Sequence, residues 1–155
     1  MHFSIVELIE AMLAPGLMIS ACGLLLLGMN NKYSLVVSRL RTLDEEKRTL
    51  LNQKEQEDLS PDKNKRLNSI IKQLEKFEYR IKLVKNAVVS YSIAVGFFIL
   101  ASLFIGAQLA IKSDLSMLPL IFFLAGMLSV LFGIIFAARE VMKGYEIVEI
   151  EVSNV

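Results

Sequence analysis

Tryptophan is absent from this 155-residue chain, cysteine and histidine occur once each, and proline occurs three times. A single cysteine excludes an intrachain disulfide framework and any multi-cysteine metal site. A single histidine, at position 2, leaves little for metal binding or proton relay. Without tryptophan, interfacial anchoring falls to Tyr33, Tyr91 and Tyr145 or to Lys and Arg. A net charge of +1 gives a nucleic-acid partner no support. No Ser-His-Asp set, metal-ligand cluster or phosphate-cradling glycine loop is present, so the expectation is neither an enzyme nor a cofactor protein.

What is abundant is hydrocarbon: 54% of the residues are hydrophobic, and they gather in long runs instead of spreading with amphipathic periodicity. Runs of about 20 apolar residues mark spanning helices. The first span is read as Met12 to Met29, about 27 Å at 1.5 Å per residue. The second is Ala87 to Ile111 and the third Leu115 to Ala138. Ile19-Ser20-Ala21-Cys22 has the look of a lipoprotein processing site. The preceding segment carries Glu7 and Glu10 but no basic residue, however, and the apolar run continues past Cys22, so cleavage there is not expected.

Between the first two spans the pattern changes to spaced apolar residues. Val36, Leu40, Leu43 and Leu50 step by fours and threes, with Lys47 in the skipped place, and Leu67, Ile70, Leu74, Phe77, Ile81, Val84 and Val88 do the same. Such steps make a heptad seam. Ser60-Pro61 supplies a cap and a first-turn proline between the two series. Val36 with Ile81, Leu40 with Phe77, Leu43 with Leu74, and Leu50 with Leu67 all have residue numbers summing to 117, as opposed residues of an antiparallel hairpin must. The same register sets Arg39 opposite Glu78 and Arg41 near Glu75.

The fold expected is therefore an all-α membrane protein with three transmembrane helices and a long antiparallel coiled-coil hairpin between the first and second. Residues 1–30 form an outside N-terminus and first span, 31–86 a cytoplasmic hairpin turning near 57–61, and 87–111 the second span. Residues 112–114 form a short outside turn, 115–138 the third span, and 139–155 a cytoplasmic tail whose alternating Glu, Ile and Val suggest a short strand or docking segment. Asn30, Asn31 and Asn86 mark the membrane boundary. Fourteen of the 17 Lys and Arg lie between Lys32 and Lys85, which makes the hairpin cytoplasmic by the positive-inside bias.

Several residues are candidates for packing or recognition. Cys22, with Ser20, Ala21 and Gly23, reads as a place of close helix approach more than as a redox or acylation site, because lipid disfavours the thiolate. Ala125, Ser129, Gly133 and Ala137 place a small residue at every fourth position of the third span. Such a stripe serves close contact within the chain or between chains, and a homo-oligomer associating through the third span is the favoured expectation. Arg39 and Arg41 are read as cross-leg partners before lipid or effector contacts, and Glu7 and Glu10 as a solvated helix start before an acidic ring. Lys47 either sets register or snorkels outward.

Pro15, Ile19-Ser20-Ala21-Cys22-Gly23-Leu24, Asn30-Asn31-Lys32, Val36-Val37, Arg39, Arg41 and Leu43 together resemble the signature of a family of small bacterial membrane proteins catalogued as a domain of unknown function, family 2721. The chain departs from that pattern at Leu35, where a basic residue is frequent, and at Ser38, where an aspartate is frequent. The resemblance implies a membrane location and a bacterial origin, and no activity. By layout alone the chain is also similar to the ExbB and TolQ motor proteins, an analogy of topology that does not carry function. The leading expectation is a homo-oligomeric scaffold in the bacterial inner membrane that presents its hairpin to a cytoplasmic protein partner. The alternative is an oligomeric ion-conducting or force-transducing complex.

Overall fold

A computed structural model describes residues 5–56, 60–111 and 117–153, and every described element is helical. Helix α1 is Ile5–Gln56, α2 is Pro61–Ile111 and α3 is Met117–Ser153. All three are long and apolar enough to cross a membrane, as a multi-pass membrane protein requires. Most of the expected turn near 57–61 and the whole turn at 112–114 lie outside the described residues.

Helix α1 runs unbroken because nothing stops it. Pro15 is its only internal proline, and the stretch after the first span is rich in Leu, Lys, Arg and Glu, which favour helix. Pro15 removes one backbone donor, a loss that helices in lipid tolerate when neighbours cover the freed group; it is fully buried. Helix α2 starts as the local signals require, with Pro61 at its first position and the Ser60 carbonyl accepting the Asn64 N–H at 3.2 Å.

The strand expected in the tail is not formed: α3 continues through it to Ser153. Ile147, Val148, Ile150 and Val152 favour strand locally, but extending an existing helix adds one hydrogen bond per residue with no new nucleation cost. No proline intervenes.

Each helix contributes to two compact units. The first comprises Met1–Met29 and Asn86–Phe136. Its core is Cys22, Ala94 and Phe98, with Met18, Ile19, Val95, Phe123 and Val130 against them. Helices α2 and α3 meet here through glycine: a Cβ on Gly133 would stand 2.5 Å from the Tyr91 ring, and one on Gly126 would stand 2.7 Å from Phe98. The Ser129 hydroxyl donates to the Ser90 carbonyl at 2.8 Å, and Phe104 stacks on Phe122 with centroids 5.2 Å apart.

These contacts bear on two expectations. Gly133 and Ser129 of the third-span stripe face α2, so that part of the stripe makes the within-chain contact that was one of its two expected roles. Tyr91, expected as an interfacial anchor, is 1% exposed and fills the space that Gly133 leaves. Ser20 and Gly23 also differ from Cys22: both are exposed, and the space around Gly23 is open. Residues 20 and 22 diverge by about 200° on a helix, so the face that buries Cys22 turns Ser20 outward.

The second unit comprises Asn30–Lys85 and Ala137–Val155. Val36, Leu43, Ile70 and Phe77 form its buried cluster, with Leu40, Leu50, Leu74 and Ile81 packed against them. Leu67 is buried as well. The seam is apolar side chains from one leg of α1 interleaved with those from the facing leg of α2, and Lys47 stands half-buried beside it. The ends of the legs, Gln56 and Pro61, are symmetric about the 58.5 centre implied by the sum of 117.

Candidate functional site

Glu140 is the one buried charged residue among the described positions, with its side chain 1% exposed. A lone buried carboxylate carries a desolvation cost of several kcal/mol and persists only when paired. Here each oxygen has its own cation. Oε1 accepts from Arg80 Nη2 at 2.6 Å and from Arg80 Nε at 3.2 Å, and Oε2 accepts from Lys32 Nζ at 2.9 Å. Lys32 belongs to α1, Arg80 to α2 and Glu140 to α3, so one carboxylate ties all three helices of the second unit.

The surroundings are shaped to Arg80. Its guanidinium lies 5.6 Å from the centroid of the Phe77 ring, within cation–π range. One turn beyond Glu140, a Cβ on Gly144 would meet Arg80 Nη2 at 3.1 Å, so the missing side chain gives the guanidinium its room. Burial alone raises the Glu140 carboxyl, but the hydrogen bonds and charges of Arg80 and Lys32 together outweigh it and hold the group below the usual carboxylate range.

A regularity links this node to the rest of the hairpin. Positions 32, 39 and 46 recur every seven residues along one edge of the α1 seam, and 66, 73 and 80 do so on α2. Glu46 and Arg66 pair across this edge through two bonds of 2.8 and 3.1 Å, and Lys32 and Arg80 share Glu140. Both sets have numbers summing to 112, and on the same line Arg39 falls opposite Gln73.

That line explains why the expected charge pairs do not form. Arg39, Glu78, Arg41 and Glu75 are all exposed, and neither Arg39–Glu78 nor Arg41–Glu75 is an ion pair in the structure. Equal height along two legs is not enough; both side chains must flank the seam on one side. Arg39 lies on the edge shared with residues 66, 73 and 80, whereas Glu78 lies on the opposite edge, and Arg41 and Glu75 point away from the seam.

The remaining sequence candidates are scattered. Cys22 is buried among Ala94 and Phe98. Ala125 and Ala137 are half-buried, and Asn30, Asn31 and Asn86 are exposed. Glu7 and Glu10 are exposed on the first turns of α1. Among the described residues, no three His, Cys, Asp or Glu side chains gather as metal ligands would. Glu140 itself escaped notice in the sequence, where it falls just past the third span at the start of the tail.

No curated protein and no solved structure matches the chain. One family model does, described as "Protein of unknown function (DUF2721)" and matching residues 12–150, which take in α1 from the first span onward, all of α2 and most of α3. The chain, with both seams and all three members of the Glu140 node inside that match, belongs to this family of unknown function.

Proposed function

We propose that the protein is a homo-oligomeric scaffold of the bacterial cytoplasmic membrane that presents a rigid helical hairpin to a cytoplasmic protein partner. The observation that carries this reading is the Glu140 node, in which both legs of the hairpin, at Lys32 and Arg80, are held by one buried carboxylate of α3. Such a tie fastens the two legs to one another. In this reading the legs form an antiparallel coiled coil, the N-terminus lies outside, and hairpin and tail lie in the cytoplasm, as the concentration of Lys and Arg between 32 and 85 favours.

Only 17 to 22% of the most apolar stretch of each helix is buried within the chain, which leaves ample lateral surface for lipid and a second copy. With Gly133 and Ser129 of the α3 stripe turned to α2, a further close-approach surface is the face of α1 that carries Gly16, Ser20 and Gly23. All three are exposed, at steps of four and three, the small-residue spacing that lets membrane helices approach.

Mass determination and imaging of the full chain in detergent test the reading. A fixed multiple of the 17.4 kDa protomer with a sealed or lipid-filled axis supports the scaffold. A monomer contradicts it, and an open axial passage favours the ion-conducting alternative.

A further inference from the structure

The Glu140 node is unbalanced: two cations share one carboxylate, and the node carries a net positive charge. Both carboxylate oxygens are taken. The surplus lies with Lys32, whose side chain is 43% exposed, and with Arg80, which is 19% exposed. Lys32 uses one ammonium proton on Glu140, and Arg80 has Nη1 outside its bonds to that residue. The carboxylate thus holds two partly accessible cations side by side, a fixed arrangement that one phosphate group can bridge.

Depth points to the source of that phosphate. Lys32 follows the apolar run Met12–Met29 by three residues, and Glu140 follows Ala138 by two, about 3–5 Å along the helix axis. The polar layer on each side of a bilayer is about 5–8 Å thick, so the node lies at headgroup level. Arg80 starts about 10 Å from the second span, and its guanidinium is drawn to the same depth by Glu140. Nearby Lys82, Lys85 and Arg139 are exposed and have no ion-pair partner among the described residues. They add positive potential without sharing the node's geometry.

The geometry points to Lys32 and Arg80, aligned by Glu140, as a binding site for the phosphate of an anionic phospholipid. This goes beyond the scaffold reading and needs only that the helices span a bilayer, so it survives if the protein is monomeric. A zwitterionic lipid carries the same phosphate with a compensating cation, and it gains less from a site whose surplus is positive.

Native mass spectrometry of the full chain, released from detergent after incubation with phosphatidylglycerol, phosphatidylcholine or inorganic phosphate, tests the site. Phosphatidylglycerol is retained over phosphatidylcholine by the wild type. Lys32→Gln lowers that retention about fivefold, the effect of about one basic residue at a membrane surface, while Lys32→Arg preserves it. Lys82→Gln with Lys85→Gln, which removes two charges but leaves the node intact, lowers retention less than Lys32→Gln does, and this separates a site from a diffuse basic belt. Equal retention of the two lipids by the wild type overturns the proposal, whether or not the variants fold. So does a loss with the Lys82 and Lys85 changes equal to the loss with Lys32→Gln. Displacement of the lipid by millimolar inorganic phosphate would assign the site to free anions and overturn the lipid assignment.

Discussion

Arg80 and Glu140 are 60 residues apart in the chain and meet through two hydrogen bonds to a single carboxylate oxygen, of 2.6 and 3.2 Å. Lys32 takes the other oxygen from a third helix. Removing the carboxylate charge leaves two cations facing each other in a site built to neutralise them. Breaking a fully buried pair costs about 3–5 kcal/mol. Because Lys32 is well exposed, the loss is discounted, and Glu140→Gln is expected to destabilise by about 2–3 kcal/mol. Combining it with Arg80→Gln should give less than the sum of the single losses. Unfolding of the detergent-solubilised protein measures both.

The same node sets an acid sensitivity. The Glu140 carboxyl is held below its ordinary value in the folded protein, so its contribution is fully present above the ordinary glutamate value of about 4.3. That contribution is lost as pH falls through the lower, folded value. Stability should therefore decline below about pH 4.3, and the decline should be shallower in Glu140→Gln. Glu46 shifts in the same direction through its bonds to Arg66, but its side chain is 38% exposed, so solvent screens the pair and it adds little. Unfolding curves of wild type and variant across pH 3–7 make the comparison.

Glycines in α3 and α1 should respond oppositely to alanine. At Gly133 the new Cβ would lie 2.5 Å from the Tyr91 ring, and such overpacking costs about 1–3 kcal/mol. At Gly28 nothing stands within 4 Å, so Gly28→Ala should be neutral or slightly stabilising through helix propensity. Thermal unfolding in one detergent separates the two outcomes.

The hairpin seam and its exposed arginines differ in the same way. Leu43 is 2% exposed within the cluster of Val36, Ile70 and Phe77, and Leu43→Ala should cost about 2–5 kcal/mol. Arg41 is exposed and makes no ion pair among the described residues, so Arg41→Ala should change stability by less than about 0.5 kcal/mol. Denaturant titration followed by helical circular dichroism distinguishes them.

The helices and the seam were legible in the chain because both are local patterns. Val36, Leu40 and Leu43 announce their shared face by spacing alone, and Ser60-Pro61 announces where the second leg begins. The Glu140 node was not legible in that way, since its members stand on three helices and each reads locally as an ordinary boundary charge. Numerical opposition also misplaced the charge pairs, because it fixes height along a leg and not the side of the seam. The seven-residue recurrence of Lys32, Arg39 and Glu46 against Arg80, Gln73 and Arg66 was the signal that could have corrected it. Glycine was ambiguous for a related reason: the spacing at Gly133 shows that something approaches closely, and only the packed structure identifies it as Tyr91 of the same chain.

The account rests on α1 and α2 of one chain forming the hairpin that Glu140 fastens. Paired cysteines test this most directly: L40C with F77C in a Cys22→Ser background, treated in membranes with a short bismaleimide and examined under denaturing conditions. A crosslink confined to the monomer band, and absent from either single variant, is the predicted result. A dimer band as the sole product would mean that the legs are exchanged between chains, and it would contradict the account.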